Sequence, residues 1–322
     1  MDKIIFFHMN QLGDLLFSLP VLEAAKKQNP DIKIYSVVRR NLAGLLNSTG
    51  LADKIFIKEK SLAERFRLIK EIRKENIKTA VLFSESPETL ITVFLSGIEK
   101  RVGFCTAGLK ILLTDKAVKT GVPSLSNNIT LAKTAGLFSV KKDYTGLIKI
   151  DRIFSDSVSE WLKQNSICEK KFTVVSTGAS ARRQEKCLDE NVWVETIDKL
   201  HDKNVSIVVV GAKWEKCNIE KIVNRCRKKP FLFCPDGGLL ELAALISKAG
   251  FFIGIDSGTM HLSASLGVKC LALYGKTDPV QIGPQPLENH TIIKKENIKN
   301  ITADEIINTF EQMRSNHEVC KL

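Results

Sequence analysis

The feature that most constrains the fold is an alternation of short β-branched or aromatic runs with helical stretches along most of the chain. Strands interleaved with helices of ordinary length are typical of βαβ units and therefore of a parallel sheet. The predicted strands are Lys3–Phe7, Lys33–Val38, Lys54–Ile57, Thr79–Phe83, Arg101–Phe104, Phe172–Ser176, Ser206–Val210, Pro230–Phe233, Phe251–Ile255 and Lys269–Tyr274.

The alternation weakens between about Gly121 and Asp156 and then restarts, which predicts two doubly wound α/β halves. We expect one domain over residues 1–155 and a second over 165–300. A last helix falls within 301–322, and its packing back on the first domain is one expectation. Two such halves leave a cleft lined by the carboxyl ends of the strands, where open α/β sheets bind ligands.

Length and composition favour a globular protein without a membrane span. At 322 residues and 44% hydrophobic content, the chain can form two cores. No apolar stretch reaches the roughly 18 residues of a spanning helix, and polar residues interrupt the N-terminal IIFF run too soon for a signal peptide. We therefore expect a cytoplasmic protein. The eight cysteines form no Cys-x-x-Cys pair and the five histidines are widely spaced, so we expect reduced thiols, no metal site and no cofactor.

The net charge of +12 indicates an anionic partner, such as a phospholipid or a phosphorylated glycolipid. Nucleic acid is disfavoured because only 7% of the residues are aromatic and can stack on bases. Lys58–Lys78 predicts a basic amphipathic helix with Leu62, Phe66, Ile69 and Ile72 on one face. Two interpretations stay open: a solvated outer face on a core-packed helix, or an electrostatic contact with an acidic membrane.

Several familiar motifs are absent. The sequence has no Gly-x-Gly, no Gly-x-Ser-x-Gly and no Asp-x-Asp, so it lacks the dinucleotide fingerprint, the hydrolase elbow and the usual metal–diphosphate motif of many sugar transferases. Tyr274–Thr277 resembles the tail of a P-loop, but Cys270 stands where that loop needs its first glycine. We therefore dismiss this match.

The segment Gly254–Ser265, GIDSGTMHLSAS, is the most informative one about a ligand. It follows an apolar strand and leads into a helix of small residues, so the helix start offers free backbone amides and a favourable dipole to an anion. The histidine in this segment can add a donor to a phosphate oxygen. The alternative is an ordinary Asp or Ser N-cap followed by a surface histidine. The candidate residues are Asp256, Ser257, Gly258, Thr259 and His261.

Two further loops follow predicted strands of the second half. Ser176–Lys186 combines small residues with a basic cluster and suits a diphosphate, although solvated loop charge explains it as well. Val210–Glu215 runs from a strand through Gly211 to an acid, and Glu215 can accept hydrogen bonds from the two hydroxyls of a ribose. The alternative role of Glu215 is that of a first-turn glutamate favoured by the helix dipole.

Near the N-terminus, QLGDLLFSLP places Asp14 beside Gly13 where a strand hands over to a helix. Asp14 is either a helix cap or a catalytic base. The three loops of the second half account for phosphate and ribose but leave the expected cleft without a base, which favours the catalytic role. The two roles are compatible, because a helix start favours a negative charge.

The stretches LGDLLFSLP and GIDSGTMHLSASLG…LYGKTDPVQIGP resemble those of glycosyltransferase family 9, whose best-known members are ADP-heptose:lipopolysaccharide heptosyltransferases. The resemblance runs in the right order and spacing from Gly13 to Pro284. It implies a GT-B fold, in which two Rossmann-like domains face each other across a cleft and the C-terminal one holds the donor. It also implies an inverting transfer that needs no metal.

The resemblance implies residue roles as well. Asp14 matches the acid proposed as general base on the acceptor hydroxyl, Lys186 the lysine that contacts the donor phosphates, and Glu215 the acid that contacts the nucleoside. The donor-binding turn of the family corresponds to Asp256, Ser257, Gly258, Thr259 and His261. Acceptor binding is assigned more weakly to His8, Asn10, Gln11 and Gly13. The chain departs from the family in two places: many members have Arg in place of His8, and CLDENVW follows Lys186 instead of a compact Lys-x-Trp.

The expected function is transfer of a sugar, above all heptose from ADP-heptose, to a phosphorylated lipopolysaccharide core acceptor. Residues 1–155 would bind the acceptor and 165–300 the nucleotide-sugar, in a cytoplasmic enzyme that can lie on the inner face of the inner membrane. The alternatives are a family member with another nucleotide-sugar donor, a GT-B-type nucleotide-sugar epimerase, and a non-catalytic sugar-nucleotide binder. An epimerase would need additional acids and histidines in the cleft, and the chain has few histidines.

Overall fold

The computed structural model describes residues 2–59, 61–119, 124–178 and 184–319. The chain divides into two compact units, Met1–Lys149 and Ile150–Leu322. In the part of the chain that is described, no helix has both the length and the apolar character to cross a membrane.

A parallel sheet of six strands forms the centre of the first unit. Its strands are β1 (Lys3–Phe7), β2 (Lys33–Val38), β3 (Lys54–Ile57), β4 (Thr79–Leu82), β5 (Lys100–Phe104) and β6 (Asp115–Ala117). Their order is β3-β2-β1-β4-β5-β6, so the direction of winding reverses between β1 and β4. Strand β1 lies in the middle because Ile4, Ile5 and Phe6 are apolar on both faces and fully buried.

The helices of the first unit cover both faces of this sheet. They are α1 (Leu12–Gln28), α2 (Arg40–Ser48), α3 (Leu62–Lys74), α4 (Pro87–Leu95) and α5 (Ser124–Ala135), with a 3₁₀ turn, η1, at Lys110–Leu112. The predicted apolar face of α3 is divided: Ile69 and Ile72 are buried, whereas Leu62 and Phe66 are 67% and 60% exposed. Only part of that face is therefore used for the core.

The second unit repeats the same topology. Its strands are β7 (Phe172–Ser176), β8 (Ser206–Val210), β9 (Phe231–Phe233), β10 (Phe251–Ile255), β11 (Lys269–Tyr274) and β12 (Thr291–Lys294). The order β12-β11-β10-β7-β8-β9 is again fully parallel and reverses between β7 and β10. Its helices are α6 (Arg152–Gln164), α7 (Glu190–Asp202), α8 (Lys216–Arg225), α9 (Gly238–Ser247), α10 (Gly258–Ser265), α11 (Pro279–Ile282) and α12 (Ala303–Val319).

Two parallel sheets flanked by helices confirm the predicted pair of doubly wound α/β halves. The helix α12 contributes to the core of the second unit, and its packing back on the first domain stays a prediction. Its buried residues Ile306, Phe310 and Met313 belong to the apolar core of the second unit, and the ring of Phe310 lies edge-on to Phe251 of β10 at 5.5 Å between centroids. The apolar row of α12 is therefore buried against its own sheet.

Candidate functional site

The predicted ligand loops of the second half all leave the same edge of the second sheet. The strands β7, β8 and β10 are parallel neighbours, so the segments that follow Ser176, Val210 and Ile255 start side by side at their carboxyl ends. This edge includes the reversal point between β7 and β10, where doubly wound sheets bind ligands. Ala179–Arg183, which contain the two arginines of the predicted basic loop, lie outside the described residues.

The helix α10 begins directly at this edge. Ser257 is its N-cap, with extended backbone angles, and the Ser257 Oγ accepts a hydrogen bond from the backbone N–H of Met260 at 3.4 Å. The amides of Gly258 and Thr259, in the first turn, have no acceptor within the helix and are available to an anion. Ser257 is thus the N-cap of α10, which one of the two interpretations predicted. The backbone amides of Gly258 and Thr259 can still bind a ligand.

Asp256 has close contacts within the second unit, and its place in the donor-binding turn stays a prediction. It is 6% exposed and forms an ion pair with the ammonium of Lys186, whose side chain is 14% exposed. The same carboxylate oxygen, Oδ2, accepts a hydrogen bond from Thr277 Oγ1 at 2.8 Å. Because a buried carboxylate needs such partners, Asp256 fixes Lys186 beside the start of α10.

Thr277 is a residue that the sequence did not identify as functional. It follows β11, the neighbour of β10, and belongs to the segment that was dismissed as a false P-loop. Lys294 donates a hydrogen bond to the Thr277 carbonyl at 2.9 Å and thereby holds this loop. The only sequence signal was a hydroxyl residue just after a buried strand, which is too common to single it out.

His261 is buried, so the alternative interpretation of His261 as a surface histidine is wrong. It lies on α10 and is 5% exposed. Burial lowers the pKa of His261 to about 4; the charge of Asp256 opposes this shift, whereas Lys186 and His290 add to it. The imidazole is therefore neutral at pH 7. Its contact with a phosphate stays a prediction, and a neutral ring can donate only one hydrogen bond.

Glu215 lies in the 3₁₀ turn after β8, and its carboxylate reaches the ends of β7 and β8. Its Oε2 accepts a hydrogen bond from the backbone N–H of Ala212 at 2.8 Å. Its Oε1 lies against the Cα of Gly178, so closely that a Cβ at position 178 would overlap it. Burial raises the pKa of Glu215, and the bond from Ala212 opposes the rise. Glu215 is thus both a capping residue and a half-buried acceptor at the ligand edge.

The first unit carries Asp14 at the corresponding edge of its own sheet. Asp14 is half-buried in the first turn of α1, whose N-cap is Gln11, so Asp14 is not itself the N-cap. Asn10 and Gly13 are half-buried and Gln11 is exposed, all within the junction between β1 and α1. These residues follow the central strand at its carboxyl end, next to the reversal point between β1 and β4.

His8 is buried at the end of β1, and its weak assignment to acceptor binding stays a prediction. It is 2% exposed and its ring stacks on Phe83 at 5.4 Å between centroids. Both ring nitrogens have partners: Nδ1 lies 2.7 Å from Ser18 Oγ, and Nε2 lies 3.1 Å from Ser36 Oγ. Burial lowers the pKa of His8 to about 3, so the ring is neutral. The structure places His8 behind the edge, where it ties α1 to the sheet.

A basic pocket of about 820 Å³ lies in the first unit beside the carboxyl ends of β2 and β3. Its lining includes four cationic side chains and two glutamates. These are Arg39, Arg40, Lys58, Arg67, Glu59 and Glu64. Burial lowers the pKa of Lys58, and its Nζ donates a hydrogen bond to Thr89 Oγ1 at 3.1 Å. An excess of cations around a pocket favours an anionic ligand.

Comparison with known proteins identifies the family. The family model described as glycosyltransferase family 9 (heptosyltransferase) matches residues 65–312, which is more than half of the chain. The chain belongs to glycosyltransferase family 9. This family 9 chain is 23% identical to lipopolysaccharide heptosyltransferase 3 of Escherichia coli over 283 residues, covering 83% of the chain and 82% of that protein.

Solved structures agree with the fold of this family 9 chain. A family 9 glycosyl transferase from Veillonella parvula superimposes with a TM-score of 0.86 at 17% identity, covering 97% of both chains. The E. coli heptosyltransferase WaaC with ADP gives a TM-score of 0.80 at 19% identity, covering 97% of this chain and 99% of the other. The expected GT-B fold with two Rossmann-like domains is confirmed, and the protein is a glycosyltransferase.

Proposed function

We propose that this glycosyltransferase moves heptose from ADP-heptose to a phosphorylated lipopolysaccharide core acceptor. The observation that carries the proposal is the group of Lys186, Asp256 and the start of α10, which gathers a cation and free amides at one sheet edge. Heptosyltransferase relatives support heptose as the sugar, and one similar structure contains ADP. We propose a cytoplasmic enzyme, because nucleotide-sugars are made and used there.

The donor would bind to the second unit. The diphosphate accepts hydrogen bonds from the amides of Gly258 and Thr259 and from Lys186, with His261 as a further donor. Asp256 keeps the Lys186 ammonium in place before the donor arrives. The ribose hydroxyls donate to Glu215, whose Oε2 is already occupied by Ala212 and whose Oε1 faces the ligand edge at Gly178.

The acceptor would bind to the first unit, where the basic pocket offers Arg39, Arg40 and Lys58 to its phosphate or carboxylate groups. Asn10, Gln11 and Gly13 line the junction that also carries Asp14. In the reaction the acceptor oxygen attacks the anomeric carbon of heptose, its proton passes to the Asp14 carboxylate, and ADP leaves. A single displacement of this kind inverts the anomeric configuration.

The leaving diphosphate gains negative charge as its bond to the sugar breaks. Amides at a helix start and a fixed ammonium are donors that need no reorganisation at that moment, so they stabilise the transition state more than the bound donor. Lys186 and α10 supply both, which supports a transfer that needs no metal ion.

The proposed base is tested by Asp14→Asn, which keeps the shape of the side chain but removes its proton affinity. We expect kcat to fall by about 10²–10⁴-fold with an unchanged Kd for ADP-heptose, because the donor site lies on the second unit. Glu23→Gln on the same helix is the matched control, and it should keep full activity. Transfer by Asp14→Asn at the wild-type rate would remove Asp14 from the mechanism. A sugar nucleotide product without any transfer would indicate an epimerase instead.

A further inference from the structure

The first unit exposes a concentration of large apolar side chains on one side of its sheet. Twelve such side chains are exposed among the described residues of the whole chain, and half of them lie on α3, α4 and η1. They are Leu62 (67%), Phe66 (60%), Ile91 (41%), Phe94 (48%), Leu95 (38%) and Ile111 (84%). Scattered single apolar residues on a surface need no explanation, but a concentration on three adjacent elements does.

These outward residues are not needed for the core. The same three elements already present a second, inward set of apolar side chains to the sheet. Leu68 and Ile72 of α3 and Leu90 and Val93 of α4 are buried in one core, against which Leu112 of η1 packs. Each helix is therefore apolar on two sides, and its inner side supplies the residues of this core.

The outward rows of α3 and α4 adjoin each other. At about 100° per residue, Leu62, Phe66 and Arg73 lie on one side of α3. Arg73 Nε donates to the carbonyl of Leu95 at 2.8 Å, so this side of α3 borders α4. A second link joins Arg65 of α3 to Glu88 of α4 at 3.1 Å.

On α4 the same spacing places Glu88, Ile91 and Leu95 on the side that borders α3. The helix α4 also packs against η1, which carries the most exposed of the six side chains, Ile111. The six residues therefore lie on three elements that adjoin in the order α3, α4, η1, and we call their outward surface the apolar–basic face.

Cations accompany the apolar residues of this face. The helix α3 contains five basic and two acidic residues, a net charge of +3 (5 − 2). Lys70 and Lys110 are exposed, and the guanidinium of Arg101 lies 5.5 Å from the ring centroid of the exposed Phe94. Apolar side chains flanked by cations are the arrangement that inserts between lipid headgroups while the charges contact phosphates.

We infer that the apolar–basic face docks this glycosyltransferase on the surface of an anionic lipid bilayer. The inference rests on the proposed function in one respect, since a lipid-anchored acceptor requires an enzyme that works at a bilayer. A second copy of the chain is a poorer occupant, because a two-fold contact would place the same patch opposite itself. Two α3 helices, each with a net charge of +3 (5 − 2), would then face each other.

The test is co-sedimentation of the full-length protein with vesicles, in the absence of donor and acceptor. We expect binding to vesicles of phosphatidylcholine mixed with phosphatidylglycerol, little binding to phosphatidylcholine alone, and weaker binding as salt increases. Vesicle binding does not depend on sugar transfer, so its failure and the failure of the proposed function are distinguishable. Absence of binding to the anionic vesicles would overturn the inference.

Two variants locate the contact. The double variant Leu62→Ser, Phe66→Ser should partition to the vesicles at least tenfold more weakly, because two largely exposed apolar side chains no longer enter the bilayer. Lys70→Glu should weaken binding several-fold, and since Lys70 is exposed its replacement leaves the core intact. The matched control is Phe138→Ser, which removes an apolar side chain of similar exposure, 58%, after α5.

The outcomes separate the possible occupants. Equal vesicle binding by the wild type and the double variant would overturn the inference. A wild-type dimer in size-exclusion chromatography that the double variant converts to a monomer would also overturn it, in favour of a contact between copies. Transfer to a lipid-free core oligosaccharide should be unaffected by Leu62→Ser, Phe66→Ser. Loss of that transfer would place the two residues in acceptor binding and count against a bilayer contact.

Discussion

Replacing Glu215 by Gln separates its capping role from its proposed role in donor binding. The Gln amide oxygen can still accept the hydrogen bond that Ala212 N–H donates to Oε2 at 2.8 Å, so the turn after β8 should keep its shape. The negative charge is lost, and the amide nitrogen cannot accept from a ribose hydroxyl. A hydrogen bond to a charged group contributes about 1.5–3 kcal/mol. We therefore expect the Kd for ADP to rise about 10- to 100-fold.

The stability of Glu215→Gln should not fall together with its affinity for ADP. Burial raises the pKa of Glu215, so the folded state disfavours the charged form and stability falls as the pH rises above the ordinary pKa of a glutamate. Glu215→Gln has no charge to bury, so its melting temperature at pH 7 should equal or exceed that of the wild type. A variant that binds ADP less tightly yet melts no earlier cannot be explained by misfolding.

The assay is isothermal titration calorimetry with ADP together with a thermal melt at pH 7. Glu220→Gln on α8 is the control, because Glu220 is a neighbouring acid that lies 3.9 Å from Lys216 and has no proposed contact with the donor. An unchanged Kd for ADP in Glu215→Gln would refute the ribose contact. A marked fall in melting temperature would refute the account of how the turn is capped.

Two further changes follow from the geometry. Gly178→Ala adds a Cβ that overlaps Glu215 Oε1, so the carboxylate must move. Calorimetry should find several-fold weaker ADP binding, with an unchanged melting temperature. An unchanged Kd for ADP would contradict the proposed contact between Glu215 and the ribose. The buried His8 and His261 have pKa values lowered to about 3 and about 4, so the unfolded chain takes up their protons first as the pH falls below 6.5. Urea unfolding should therefore show a loss of about 2 kcal/mol per histidine between pH 7 and pH 5, and a profile without such a loss in that interval would contradict their burial in neutral form.

The central strands of both sheets were predictable from the sequence, whereas one edge strand of each sheet, β6 and β12, was missed. β1 and β10 are almost wholly apolar because helices cover both their faces, which makes them stand out in the sequence. β6 has only three residues, Asp115–Ala117, two of them charged, so its pairing with β5 leaves no apolar pattern. β12, Thr291–Lys294, is the corresponding edge strand of the second sheet, and its apolar run is only two residues long, Ile292 and Ile293.

The helix α5 was missed because its packing depends on small and polar side chains. Leu131, Ala132 and Ala135 are buried, but only one of these three is a large apolar residue. Asn128 Nδ2 donates a hydrogen bond to the carbonyl of Phe17 on α1 at 2.9 Å, and this contact spans 111 positions in the sequence. No local pattern can reveal a contact between residues so far apart.

In the candidate site, too, local features were predictable from the sequence and contacts between distant residues were not. The start of α10 at Ser257 and the turn at Glu215 are local features, so their positions followed from a strand, a glycine and a polar residue. The pairing of Lys186 with Asp256 crosses 70 positions and depends on how β7 and β10 lie together. The burial of His8 likewise depends on Ser18 and Ser36 from two other elements, which a single strand does not disclose.

The central claim, transfer of heptose to a lipopolysaccharide core acceptor, is tested most directly by mass spectrometry of that acceptor. The purified protein would be incubated with ADP-heptose and a core acceptor that lacks the heptose, without added metal and with a chelator present. We expect the acceptor to gain one heptosyl unit, and Asp14→Asn to leave it unmodified at the same time point. An acceptor whose mass is unchanged with the wild-type protein, while ADP-heptose binds, would contradict the proposed transfer.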